Sequence, residues 1–292
     1  MMSLNDSDFQ PLILTALQED IATGDVTSEA IFSPETRAKA VFLVKQNGVI
    51  CGLDVTRKVC EEVAKASNDE TLTWEQLAQD GDAVQSGTVV ATVTGRAITL
   101  LKAERTALNF LQRMSGVASL TRVYVEALRG THTRVADTRK TIPGWRMLDK
   151  YAVSVGGGMN HRIGLFDMAL IKDNHRDAAG SLTNAIRKCN EALKDKPHIP
   201  IEAETRTIAD VREVLACLDA GLRVERIMVD NFTPEGVREA VNIVAGRTAT
   251  EASGGITLAN IRTFAEAGVD IISVGALTHS APALDISMKF RD

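Results

Sequence analysis

Apolar positions recur along this chain in two rhythms. Up to about residue 115 the rhythm is mixed. Residues 8–20 place Phe9, Ile13, Leu14 and Leu17 on one side of a helix, and Pro11 falls in its first turn, where a missing N–H costs nothing. Residues 24–28 read as a turn, 38–50 as strand, 53–66 as helix, and 80–99 as short strands punctuated by glycine. A long helix is predicted over 100–129, with Leu101, Leu108, Leu111, Val117, Ala118 and Leu120 as its apolar surface. Arg105, Asn109, Gln112 and Gly116 fall at i, i+4, i+7 and i+11 and share one face, which reads first as a solvated polar stripe.

From residue 130 short apolar runs alternate with helical stretches. The runs are 133–136, 168–171, 199–203, 226–229, 249–252 and 271–274; helices are predicted over 145–155, 178–194, 207–219, 234–245 and 257–267. Thr207 and Thr257 are expected N-caps, and Gly221, Gly246 and Gly268 expected terminators. Strand alternating with helix predicts a parallel sheet. The last three units repeat about every 22 residues, so eight would need about 176 where only about 150 remain, which predicts an incomplete α/β barrel of about six strands. The expected organisation is an N-terminal α/β sandwich over 1–115, with a tail at 278–292 packing back on it, and a barrel over 116–277.

Composition narrows the class. The chain has 292 residues, 45% of them apolar and 24% charged, with a net charge of −5, which disfavours a dedicated nucleic-acid binder. No apolar run approaches the ~20 residues of a membrane span. The first residues lack a basic n-region and a cleavage pattern, so no secretory signal is expected. Cys51, Cys60, Cys189 and Cys217 form no C-x-x-C pair and read as free thiols of a cytoplasmic protein.

The chemistry is expected where the strands end. The first delivers Asp137, Thr138, Arg139, Lys140 and Thr141; the second Lys172, Asp173, Asn174 and His175; the third Glu202 and Glu204; the fourth Asp230 and Asn231; the fifth Ser253, Gly254 and Gly255; the sixth Val274, Gly275 and Ala276. The segment before the second adds His161 and Arg162. Arg139, Lys140, Arg162 and Lys172, with His161, make a cationic set that calls for a substrate with several negative charges. Residues 134–176 hold eight Lys/Arg against four Asp/Glu, so the acidic average conceals a basic segment. Ser253-Gly254-Gly255, with Thr257 opening a helix, reads as a phosphate cradle beside Gly275. Glu204 and Asp230 could ligate Mg²⁺, bind sugar hydroxyls or stabilise a cationic transition state. Glu202 shares the strand face of Glu204, and spacing does not separate the two.

Several stretches together carry a family resemblance: ERTALNFLQRMSGVAS (104–119), ADTRKTIPGWRMLDKYAVSVGGGMNHRIGLFDMALIKDNH (136–175), IEAET (201–205), IMVDNF (227–232), EASGGI (251–256) and ISVGALTHSAPALDISMKF (272–290). With EDIATGDVTS (19–28), they resemble the quinolinate phosphoribosyltransferases over nearly the whole chain. The resemblance implies transfer of phosphoribose from 5-phosphoribosyl-1-diphosphate to quinolinate with loss of CO₂, giving nicotinate mononucleotide and diphosphate for NAD biosynthesis, with Mg²⁺ as cofactor. It implies that Arg139, Arg162, Lys172 and His161 hold the quinolinate carboxylates and that Lys140 contacts the diphosphate. It implies that Glu204 and Asp230 bind ribose hydroxyls and the Mg²⁺–diphosphate group. Ser253, Gly254, Gly255 and Gly275 would cradle the 5-phosphate, near His279. It also implies a homodimer in which Arg105 enters the partner's site, replacing the solvated-stripe reading. The alternatives are a related phosphoribosyltransferase-like protein with another substrate (the molybdenum-transport-associated type), a barrel aldolase using Lys172 as Schiff base, and a metabolite-binding protein without activity.

Overall fold

A computed structural model describes residues 2–291. Helix α1 (Asp6–Ile21) opens with the Asp8 carboxylate accepting from the Asn5 N–H at 2.9 Å, and it buries Phe9 and Ile13. The expected turn at 24–28 instead starts a short helix, α2 (Val26–Ile31). The cause is Asp25, whose carboxylate accepts from the N–H groups of Thr27 and Ser28 and caps it. The strand expected at 38–50 is two, β1 (Arg37–Val44) and β2 (Gly48–Val49). Helix α3 (Leu53–Ala66) follows, its first N–H groups covered by Asp80, which accepts from Gly52 and Leu53 at 2.9 and 3.1 Å. Strand β3 (Thr73–Gln76) has mostly exposed side chains, so no apolar alternation announces it. Then come β4 (Ala83–Val84), β5 (Val89–Arg96) and the long helix α4 (Ala97–Ala127).

The alternating half runs β6 (Arg134–Ala136), α5 (Arg146–Val155), β7 (Ala169–Ile171), α6 (Asp173–Ala179), α7 (Leu182–Ala192), β8 (Ile201–Thr205), α8 (Ile208–Asp219), β9 (Arg226–Asp230), α9 (Pro234–Val244), β10 (Ala249–Ser253), α10 (Ile261–Glu266), β11 (Ile271–Ser273), α11 (Ala276–His279) and β12 (Ile286–Arg291). The single helix expected at 178–194 is α6 and α7, parted at Gly180, whose φ of 85° lies in the left-handed region. Thr207 caps α8 as expected: its hydroxyl accepts from the Asp210 N–H at 3.1 Å, and the Asp210 carboxylate accepts from the Thr207 N–H at 3.0 Å. Thr257 is not a cap. Its N–H donates to the Asn260 side-chain oxygen at 2.7 Å, which holds 257–260 as a turn and delays α10 to Ile261.

The chain divides into two compact units. One comprises the chain up to Arg122, Thr141–Gly157 and the chain from Leu277 onward. It holds a four-stranded sheet in the order β12-β1-β5-β3 and the two-stranded sheet β2-β4, the sandwich-like part of this α/β fold. β12 lies antiparallel on β1, with Val44 opposite Ile286. The polar stripe on α4 serves two ends. Arg105 and Asn109 are exposed, whereas the Gln112 amide donates to the Ile286 carbonyl at 2.6 Å and Gly116 is buried. A Cβ at Gly116 would overlap the Pro282 carbonyl oxygen, which is backbone and cannot swing away. Gly116→Ala is therefore expected to lower stability by ~1–3 kcal/mol in urea unfolding, despite the better helix propensity of alanine.

The other unit comprises Val123–Lys140 and Gly158–Ala276. Its parallel sheet has the order β6-β11-β10-β9-β8-β7. Strands β6 and β7 are consecutive in the chain yet form opposite edges, an arrangement consistent with an incomplete barrel. Among the described residues no helix is long and apolar enough to cross a membrane, and all four cysteines are free thiols.

Candidate active site

Strand pleating decides which side chains face inward. Glu202 and Glu204 on β8, Arg226, Met228 and Asp230 on β9, and Glu251 and Ser253 on β10 fall on one face, with Glu202 paired to Arg226, Glu251 to Met228 and Ser253 to Asp230. Charge thus replaces the aliphatic layers usual in such sheets. Above them opens a cavity of about 430 Å³ lined by Thr138, Arg139, Lys140, His161, Arg162, Leu170, Lys172, Asp173, Glu204, Arg206, Met228, Asp230, Glu251, Ser253 and Ser273. Most of the expected cationic and acidic residues therefore share one wall-to-wall space.

The cations are unevenly compensated. Arg206 pairs with Asp173 at 2.7 Å and lies 3.7 Å from Glu204. Among the described residues no carboxylate lies within ion-pair distance of Arg139, Arg162 or Lys172. Burial, and after it the Arg139 guanidinium, push the pKa of Arg162 down, while the Glu202 and Asp167 carboxylates pull the other way. Arg162 is fixed by donating from Nη1 to the Met168 carbonyl at 3.1 Å. The Lys140 N–H donates to the Thr138 hydroxyl at 3.0 Å, shaping the turn after β6. On the acidic side, burial and then the nearby Asp230 raise the pKa of Glu204, although Lys172 and Arg206 pull the other way.

Ser253, Gly254 and Gly255 form a tight turn after β10, with φ of 93° at Gly254 and 62° at Gly255. A Cβ at Gly254 would meet the Asn231 side-chain oxygen, and Asn231 in turn donates its N–H to the Ser253 carbonyl at 2.8 Å. A Cβ at Gly255 would meet nothing within 4 Å, so backbone is accessible there. The expected helix at Thr257 is absent, so any anion affinity of this turn rests on its backbone N–H groups and not on a helix dipole. Val274 is buried and its N–H donates to the Ala136 carbonyl at 2.9 Å, while Gly275 and Ala276 are half-buried at the end of β11. Arg105 and His279 belong to the other unit; both are exposed, and a His279 ring nitrogen lies 2.6 Å from the Ser280 hydroxyl.

Beneath the cavity lies a group that motif reading passes over. His161 Nε2 stands 3.1 Å from Glu202 Oε2 and 3.4 Å from Glu251 Oε1. Arg226 Nη1 is 2.7 Å from Glu251 Oε2 and 3.9 Å from Glu202 Oε1. These are the only three His/Cys/Asp/Glu side chains among the described residues whose ligand atoms group within 4.8 Å, and such a His/Glu/Glu set could coordinate a divalent cation. To do so Nε2 would have to give up its proton. The Arg162 N–H donates to His161 Nδ1 at 2.7 Å, which leaves the ring proton on Nε2, facing the carboxylates. Burial disfavours a charged imidazole, and the Glu202 and Glu251 carboxylates favour a proton at Nε2. The sequence signal was a charge inside each of three inner apolar strands, IEAET, RIMVD and ATEAS.

The comparisons with known proteins agree over the whole chain. Residues 25–115 match the quinolinate phosphoribosyl transferase N-terminal domain, and residues 117–289 the C-terminal domain of the same family. A chloroplastic nicotinate-nucleotide pyrophosphorylase (carboxylating) from Arabidopsis thaliana is 42% identical, covering 97% of this chain and 82% of that one. A probable nicotinate-nucleotide pyrophosphorylase (carboxylating) from Bacillus subtilis is 41% identical, covering 98% and 94%. The crystal structure of NadC from Streptococcus pyogenes superposes with a TM-score of 0.92 at 37% identity over 100% of both chains. With the cationic cavity in place and both halves matched, the chain belongs to the quinolinate phosphoribosyl transferase family of enzymes.

Proposed function

We propose that the cavity carries out the reaction of this family here: phosphoribosyl transfer from 5-phosphoribosyl-1-diphosphate to quinolinate with decarboxylation, in NAD biosynthesis. The observation that carries the assignment is the crowding of Arg139 and Arg162 with Lys172, without carboxylate partners, in a cavity that also holds an acidic pair. Two ring carboxylates answer the first feature and a developing ribosyl cation the second. Arg139, Arg162 and Lys172 grip the carboxylates, with His161 in the floor, and hold the pyridine nitrogen in attacking geometry. Lys140 contacts the departing diphosphate, with Thr138 in the same turn. Glu204 and Asp230 bind ribose hydroxyls and stabilise positive charge on the ring carbon and oxygen. Ser253, Gly254 and Gly255, with Val274, Gly275 and Ala276, form the 5-phosphate cradle. Once the ring nitrogen is alkylated it draws in electrons, and the adjacent carboxylate leaves as CO₂; the bonding pair stays on that ring carbon, which takes up a proton from water, and no covalent nucleophile on the protein is needed.

Mg²⁺ belongs to this reading. Glu204 and Asp230 suit it: both are oxygen donors, and their mutual repulsion, registered in the raised pKa of Glu204, is what a divalent cation relieves. Bound with the diphosphate there, it would neutralise charge on the leaving group. The His161 cluster suits it less, because Nε2 holds a proton and Arg226 already neutralises Glu251.

The proposed assembly is a cytoplasmic homodimer with Arg105 entering the partner's cavity. The test is formation of nicotinate mononucleotide by the unaltered chain, and by mixtures of Arg105→Ala and Arg139→Ala subunits. Each variant alone should be nearly inactive. Random reassociation should restore roughly a quarter of the original activity, since half the dimers then own one complete site. Inactivity of the unaltered chain would remove the functional reading; failure of mixing alone would remove the shared site.

A further inference from the structure

We propose that Arg176 and Asp210 are positioning residues for Lys172: with the Arg206–Asp173 pair they clasp helix α6 to the start of α8 and so hold the turn from which Lys172 enters the cavity. The inference deepens the reading of the cavity as a quinolinate site and rests on it. Lys172 leads directly into α6 and is bound up with its first turn. Its N–H donates to His175 Nδ1 at 2.9 Å, and its carbonyl accepts from the N–H groups of His175 and Arg176 at 2.9 and 3.0 Å. Yet α6 has no buried residue. A second cavity, of about 460 Å³, lies between Ala178 and Ala179 of this helix and Ile171, Ala185 and Cys189. Apolar burial, the ordinary anchor of a short helix, is therefore missing.

Charge takes its place at both ends. Asp173, the first residue of α6, accepts from Arg206 Nη2 at 2.7 Å. Arg176, in its last turn, donates from Nη1 to Asp210 Oδ1 at 2.7 Å. Asp210 is a fixed anchor. It is buried, and its other oxygen accepts from the N–H groups of Arg206 and Thr207, both at 3.0 Å, at the start of α8. Half-exposed ion pairs add little to a well-packed protein. On a helix with no buried side chain they set its orientation, because nothing larger competes. Strand β7 fixes the chain as far as Ile171, opposite Ala203, so a helix released from α8 would turn about Lys172 itself.

The experiment uses the full chain and substitutes Arg176, which does not line the substrate cavity. Arg176→Gln is expected to raise the KM for quinolinate about fivefold or more, with the KM for phosphoribosyl diphosphate unchanged. Arg176→Lys keeps the pair and should stay near the original value. Asp210→Asn keeps an oxygen for the Arg206 and Thr207 N–H groups but loses the ion pair, and it should raise the quinolinate KM as well. Attraction between charges alone predicts the reverse sign there, because a negative charge is removed near an anion site. Hydrogen exchange without substrate supplies the second arm: the amides of 174–179 should exchange about tenfold faster in Arg176→Gln, with those of β8 and β9 unchanged. A lower or unchanged quinolinate KM in Asp210→Asn would overturn the proposal, as would equal rises in both KM values in Arg176→Gln. Exchange in that variant that is unaltered, or that quickens across the whole chain, would overturn it too. If calorimetry finds no quinolinate binding by the unaltered chain, the functional reading fails instead, and the exchange arm still decides whether the clasp holds α6.

Discussion

Replacing Arg139 by alanine is expected to weaken quinolinate binding by at least ~2 kcal/mol, roughly 30-fold, in calorimetry on the full chain. The expectation rests on the state of the cavity without substrate. Arg139 has no carboxylate in ion-pair range among the described residues, and its charge depresses the pKa of Arg162 beside it. The unliganded protein holds that repulsion, and a dianion relieves it on binding. Removal of Arg139 should therefore leave the thermal stability of the unliganded protein unchanged or slightly higher while affinity falls. Normal affinity in Arg139→Ala would take this residue out of the site. A large loss of stability would mean that it holds the fold, which the geometry does not suggest.

Glu204→Gln is expected to reduce kcat by about 10²–10³-fold with little change in the KM for quinolinate, because its charge matters most when the ribosyl group is cationic. The pH profile of the unaltered chain supplies the sign. Burial and the Asp230 carboxylate raise the pKa of Glu204, so its ionised form is lost as pH falls through a value above that of an ordinary glutamate. The acid limb of kcat/KM for phosphoribosyl diphosphate, which reports the free enzyme, should accordingly lie higher than a free glutamate would place it. In Asp230→Asn one cause is gone, with burial and Asp173 remaining, and the limb should move to lower pH even though kcat/KM itself falls. An unmoved limb would show that another group sets it.

Much of this architecture was legible because its elements announce themselves one at a time. The apolar runs that become β6 to β11 are bounded by polar residues, and Thr207 and Gly221 mark the ends of α8 with their own side-chain and backbone chemistry. What escaped depends on pairings that no local window contains. Strand β3 is exposed along most of its length and becomes a strand only because β5 lies beside it. Helix α6 has no buried residue and so no apolar period to read. Thr257 has the identity of a cap, but its N–H and its hydroxyl both donate to the Asn260 side-chain oxygen, so the hydroxyl caps no following N–H.

The site divides in the same manner. Its cations lie at strand ends in one basic stretch, where spacing along the chain is enough to group them. The buried charges beneath them, Glu202, Arg226 and Glu251, meet through sheet register, and register is a property of strands separated by helical crossovers. The difference between Glu202 and Glu204 likewise lies in depth. Both face inward, but Glu204 lines the cavity and Glu202 sits under it, fully buried.

The strand order has a consequence for how the chain comes to be folded. The only named strand beside β6 among the described residues is β11, and β1 gains its outer neighbour only when β12 arrives. Both sheets are therefore completed only by segments far along the chain from the strands they join. Until these dock, the β6 edge stands open, and the inward-facing charges of β8 to β10 line a half-built surface. Contacts so distant in sequence close slowly, because loop-closure entropy is lost before they form. A chain in which these two late strands are not yet docked would thus present exposed edges on both sheets at once, a substrate for chaperones or for aggregation.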